Sequence, residues 1–181
     1  MARPATVFAR SADKVDVWFA KTKTETASGL NLAFSKEQQE RVSSMSEAVR
    51  DLFDRWERVW HEGQYDLIPS CVGSHYIRHD EKGDRTVTRE AYAAELAAIH
   101  RERPGTRVVV YDHSFTDDRA WFRFSFVWPD PATGEPRSRA GMQSYRIEGG
   151  KLAETWITLL PLATAWTDAA AQERWTVKRP V

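Results

Sequence analysis

Residues 144–156 read SYRIEGGKLAETW. Gly149-Gly150 is a two-residue turn between two alternating runs, the pattern of a tight β-hairpin. Side chains alternate between the faces of a strand, so Tyr145 and Ile147 share one face of a strand over residues 138–147, with Gln143 and Gly141. On the returning strand, residues 151–160, Leu152 is read as facing inward, which places Glu154, Trp156 and Thr158 on its face.

Outward from this hairpin the pattern remains that of antiparallel strands. Residues 120–128 carry Phe122, Phe124 and Phe126 on one face and Arg123 and Ser125 on the other. Residues 107–115 form another strand, joined to it by a turn at Asp117-Asp118. Residues 129–136 hold three prolines and a glycine and read as a loop. Upstream the period becomes helical. In residues 45–61, Val49, Leu52, Phe53, Trp56, Val59 and Trp60 recur at three- and four-residue steps. Residues 64–72 predict a short helix broken by Pro69, and residues 73–80 a strand whose inner face carries Ile77 and His79. Residues 81–85 read as a charged turn. Residues 88–101 predict a helix capped by Thr88, with Tyr92, Leu96 and Ile99 buried. Helices followed by a run of strands give an α+β class.

The 181-residue chain has room for one ordinary domain. Residues 1–44 read as an N-terminal extension with an apolar patch at Trp18 and Phe19, residues 45–165 as the domain, and residues 166–181 as a C-terminal tail. Twenty-six Lys and Arg balance 26 Asp and Glu, and no basic cluster stands out. Nucleic acid is therefore not an expected partner. No apolar run is long enough for a membrane span or a signal peptide, which predicts a cytoplasmic protein. Cys71 is the single cysteine and reads as a small core residue. No phosphate loop, dinucleotide fingerprint or nucleophile elbow is present. His75 and His79 lie about 13 Å apart along a strand, so no metal and no cofactor is expected.

Four segments resemble the SnoaL-like polyketide cyclase family of the nuclear transport factor 2-like superfamily. They are LFDRWERVWHEGQYD at residues 52–66, YIRHD at 76–80, residues 88–105 with their Pro-Gly exit, and SYRIEGGKLAETW at 144–156. The resemblance implies a cone-shaped, curved antiparallel sheet wrapped around N-terminal helices, with a central pocket, and a homodimer through the outer face of the sheet. It does not fix the chemistry, because this fold carries cyclases, isomerases, hydrolases and plain binding domains. The cyclases' aspartate, about four residues after the last-strand tryptophan, is Leu160 here. The tyrosine that steroid isomerases carry on the first helix is missing from residues 45–61.

In that frame Glu154 and His79 are the candidate proton-transfer pair, because a carboxylate buried among apolar groups has a raised pKa. The candidate ligand-binding residues are Gln143, Trp156, Trp56, Trp60, Tyr92, Phe124 and Thr158. The expected partner is a small hydrophobic, ring-containing molecule. The leading reading is a cofactor-free cyclase, isomerase or hydratase acting by acid–base proton transfer. Its alternative is a ligand-binding or interaction domain without catalysis.

Overall fold

The computed structural model describes residues 36–167 and 170–178, with side chains from residue 46 onward. Trp18 and Phe19 lie outside the described residues. A compact unit runs from Glu40 to Val181. Its elements are α1 (Lys36–Glu62), a 3-10 turn (Tyr65–Leu67), α2 (Ile68–Cys71), β1 (Val72–Asp80), β2 (Gly83–Thr88), α3 (Arg89–Glu102), β3 (Arg107–Phe115), β4 (Arg119–Pro129), β5 (Pro136–Glu148) and β6 (Lys151–Leu159).

The six strands form one curved, unclosed sheet in the order β2-β1-β6-β5-β4-β3. The sheet is mixed: β1 runs parallel to β6, and the other neighbours are antiparallel. The parallel pairing is absent from the sequence pattern because it joins strands separated by α3 and four other strands. The charged stretch read as a turn contributes β2 instead. Its turn shortens to Glu81 and Lys82, and Arg85 and Val87 pair with β1. Pro69 sits in the first turn of α2 rather than breaking a helix, because a first-turn residue needs no intrahelical N–H partner.

The apolar stripe of α1 packs on the inner face of the sheet. Phe53, fully buried, stacks on Phe115 at 5.4 Å and meets Phe122 at 4.8 Å and Tyr145 at 5.2 Å between ring centroids. Trp60 packs on Phe126, and Trp56 on Tyr92 of α3. Thr88 caps α3 by accepting the Ala91 N–H at 3.1 Å. Gly141 lets β6 close over β5, since a Cβ there would lie 2.9 Å from the Thr158 carbonyl oxygen and 3.0 Å from the Phe124 ring. Cys71 is buried, and burial pushes its thiol pKa up, as expected of a core residue.

Among its described residues the C-terminal tail has no helix and packs on the domain. Trp166 donates its indole N–H to the Phe124 carbonyl at 2.8 Å. Further on, Gln172 N–H reaches the Val110 carbonyl on the sheet's edge strand at 2.7 Å. Trp175 (4% exposed) and Thr176 (2%) then bury against α1. Thr176 donates to Asp54 at 2.6 Å, and Arg50 donates to the Thr176 carbonyl at 2.8 Å.

Candidate functional site

Two β-bulges decide which side chains face the interior. In the β5–β6 hairpin Glu148 pairs with Lys151 and Ile147 with Leu152, but Arg146 pairs with Glu154. Ala153 is the extra residue, and one extra residue reverses every following side chain. Leu152 and Thr155 are therefore both inward and fully buried, while Glu154, Trp156 and Thr158 lie on the outer face. The β1–β6 register also shifts, between Val72 and Ile77. Tyr76 and Arg78 face inward, and Ile77 and His79 outward. The expected pocket position of Glu154, His79, Trp156 and Thr158 is thus corrected for all four.

Glu154 and His79 do meet, as the sequence predicts, but on the outer face. His79 Nε2 lies 2.9 Å from Glu154 Oε1, and its Nδ1 lies 2.8 Å from Asp84 Oδ1. Arg146 Nε donates to the other Glu154 oxygen at 2.9 Å. The His79 ring stacks on Trp156 at 5.0 Å. The Arg146 hydrogen bond, with that of His79, holds the Glu154 pKa below the usual carboxylate value. Hydrogen bonds to Glu154 and Asp84 raise that of His79. This is an ion-paired carboxylate, the opposite of the desolvated base the sequence reading requires.

The interior site lies between α1 and the inner faces of β3, β4 and β5, beneath the tail. Its principal walls are Trp60, Phe122, Phe124, Phe126, Tyr145 and Trp175, with Gln143 among them. Of the expected ligand-binding residues, Trp60, Phe124 and Gln143 line it. Trp56 and Tyr92 are buried behind it, 5.9 Å apart. Gln143 donates to the Thr155 hydroxyl at 2.9 Å, which fixes its amide along the sheet. The free volume is about 10 Å³, room for about one water. Trp175 closes the site. It donates its indole N–H to the Val108 carbonyl at 2.9 Å, and its ring meets His61 edge-on at 5.6 Å and Phe122 at 6.1 Å.

A family model for the SnoaL-like domain matches residues 49–155, more than half of the chain. The chain belongs to the SnoaL-like domain family. Solved structures with this fold include a SnoaL-like polyketide cyclase from Agrobacterium tumefaciens, at 15% identity and a TM-score of 0.54, covering 62% of this chain and 91% of the other. TsrD from Streptomyces laurentii aligns at 19% identity and a TM-score of 0.54, covering 62% and 88%. A nuclear transport factor 2-like protein from Anabaena variabilis aligns at 12% identity and a TM-score of 0.54, covering 66% and 93%. No curated protein matches. At these identities the likeness is one of fold. Among the described residues, no helix is long and apolar enough to cross a membrane.

Three members of the interior were missed as site residues. Thr155 is hidden by the bulge at Ala153, and Arg78 because an arginine on a strand reads as solvated. Trp175 was assigned to the tail, although an isolated tryptophan in a polar segment is a signal of docking.

Proposed function

We propose that this SnoaL-like domain is a binding module for a small, largely apolar molecule, seated between α1 and β3–β5 beneath Trp175, with no proton-transfer chemistry at that seat. The observation that carries the reading is the lining. Apart from Gln143 and Tyr145 the walls are aromatic and aliphatic, and neither a carboxylate nor an imidazole lies among them. Burial raises the pKa of Tyr145, so its phenol stays neutral and serves as a hydrogen-bonding group. Ligand pockets occupy roughly 300–1,000 Å³. The indole of Trp175 therefore stands where part of a ligand would sit, and binding displaces the tail. The polyketide cyclase with the same fold gives a chemical precedent for ring-shaped occupants.

The test is Glu154→Gln on the full chain, assayed against a panel of aromatic probes by thermal shift and calorimetry. Every affinity stays within about twofold of wild type, because Glu154 does not reach the seat. A catalysed conversion of a bound probe that falls by roughly 10²–10⁴ in the variant would restore the acid–base reading.

The chain is further proposed to be a homodimer through the outer face of the sheet. That face carries the exposed apolar side chains Met142 and Trp156, 41% and 37% accessible, beside a half-buried Trp121. Such a patch on a monomer is a liability. Light scattering at micromolar concentration gives about twice the 20.8 kDa chain mass, and Trp156→Glu halves it. A wild-type mass equal to one chain refutes the dimer.

A further inference from the structure

We propose that the ring held between α1 and the sheet carries a hydrogen-bond donor on its edge, an N–H or a phenolic O–H, and that this donor takes over the Val108 carbonyl from Trp175 as the end of the tail lifts away. The proposal rests on the reading of the interior as a small-molecule seat and names the class of its occupant. The tail itself shows what the seat accepts. The Trp175 indole, a flat fused ring, is buried among the cavity walls. Its plane stands at 89° to His61 and at 60° to Phe122. Its one polar atom donates to the Val108 oxygen at 2.9 Å.

That oxygen asks for a donor. β3 is an edge strand of the sheet, and two of its carbonyls are met from the tail. The Trp175 indole meets Val108, and the Gln172 backbone N–H meets Val110 at 2.7 Å. His61 Nε2 also lies 3.1 Å from the Val108 oxygen. The same nitrogen accepts the Val108 N–H at 3.2 Å, and an imidazole nitrogen that accepts has no proton to give. Val108 is buried, and a buried carbonyl deprived of its donor is costly. A hydrocarbon ring that displaced the indole would leave this oxygen without an N–H. A ring with its own edge donor restores the bond.

The tail is built to release at this end. After β6 it is first tied to the sheet through the backbone. Leu160 N–H donates to the Ala140 carbonyl at 2.9 Å, Ala163 N–H to Ser138 at 3.0 Å, and Ala140 N–H to Thr164 at 3.1 Å. From Gln172 onward, among the described residues, the Gln172–Val110 bond is the one backbone–backbone tie to the rest of the domain. The other ties there run through side chains. Thr176 donates to Asp54, Arg174 pairs with Asp54 at 3.3 Å, and Lys178 pairs with Asp112 at 2.7 Å. The Arg174 and Lys178 side chains are about half exposed, and ion pairs of that kind hold weakly. The segment from Gln172 can therefore leave while the segment up to Thr164 stays on β5.

Indole and benzofuran test this, because they share a shape and benzofuran has a ring oxygen where indole has its N–H. On the full chain carrying Trp175→Ala, calorimetry gives indole roughly tenfold or more tighter than benzofuran. An apolar hole without a directed acceptor would hold the less polar benzofuran at least as tightly. In wild type, millimolar indole binds the open form and raises its population. Hydrogen exchange at the Trp175 indole and the Gln172 amide therefore quickens severalfold, while that of the β4 and β5 amides does not. Benzofuran at the same concentration quickens it less. Equal affinity for the two probes, or tighter binding of benzofuran, overturns the donor and leaves the apolar seat standing. Binding by Trp175→Ala with wild-type exchange unchanged makes Trp175 a fixed part of the core and overturns the displacement. Should Trp175→Ala fail to fold, wild-type exchange with the two probes decides the matter. Binding of neither probe to the variant, with no quickening in wild type, removes the seat and the donor with it.

Discussion

Trp175→Ala lowers the stability of the domain by about 3–5 kcal/mol, the usual cost of emptying a buried tryptophan site, and opens its interior to small aromatic molecules. The indole is 4% exposed and walls the cavity with Phe122, Trp60 and Tyr145. Its N–H is spent on the Val108 carbonyl, which also lies 3.1 Å from His61 Nε2, so alanine removes one of that oxygen's two contacts. Neighbouring groups hold the tail in place: Trp175 N–H lies 3.3 Å from Glu57 Oε2, and Arg50 and Asp54 hold Thr176. They confine the loss to the indole. The vacated space is apolar, and such cavities stay empty of water and accept hydrophobic guests. Indole itself should therefore bind the variant in the micromolar to millimolar range and recover part of the lost stability, which a denaturation series with and without indole measures. A loss below about 1 kcal/mol, or no stabilisation by indole, would mean that the tail rests on the domain without closing it.

The sequence carried the fold because its signals were periodic and local. The three-and-four spacing of Val49, Leu52, Phe53, Trp56, Val59 and Trp60 specifies one helical stripe, and all six are buried. Phe122 and Phe124 face inward on β4, and Tyr145 and Ile147 on β5, by plain alternation. The site was less legible because it depends on where alternation breaks. Counting from Leu152 gives Glu154 and Trp156 as inward, and Ala153 turns both outward. No residue type marks that bulge. Counting from Ile77 rather than Tyr76 made the same error on β1. The two errors agreed, so Glu154 and His79 were correctly read as neighbours on the wrong face. Arg78 was invisible for a different reason. An arginine on a strand reads as solvated, and only the geometry reveals its burial over Tyr92, tied to Asp80.

Acid loosens the corner where the tail is fastened. His61 ends the apolar stripe of α1, with its side chain 13% exposed. Its Nε2 accepts the Val108 N–H at 3.2 Å, and its ring meets Trp175 edge-on. Burial, with Arg107 and His100 nearby, pushes its pKa from 6.5 down to about 4, against a raising contribution from the Val108 backbone. The unfolded chain therefore binds this proton first. The stability held by neutral His61 is complete above about pH 6.5 and is lost as the pH falls toward 4. A shift of this size corresponds to about 3 kcal/mol at full titration. Burial also lowers the pKa of His100 and His113, which adds to the loss with the same sign. Glu57, 3.6 Å from His61 Nδ1, acts in the opposite sense. Burial raises its pKa, so the folded protein takes that proton before the unfolded chain does. The raised pKa of His79 likewise favours the fold on acidification. The histidines buried around the tail are expected to prevail, because the His61 shift is the largest of these. Between pH 7 and 4.5 the unfolding free energy falls, and amide exchange at Gln172 and Trp175 quickens before that of the β4 and β5 core. His61→Gln keeps an acceptor for Val108 but cannot titrate, so its profile flattens over this range. Equal slopes in wild type and variant would remove His61 as the cause.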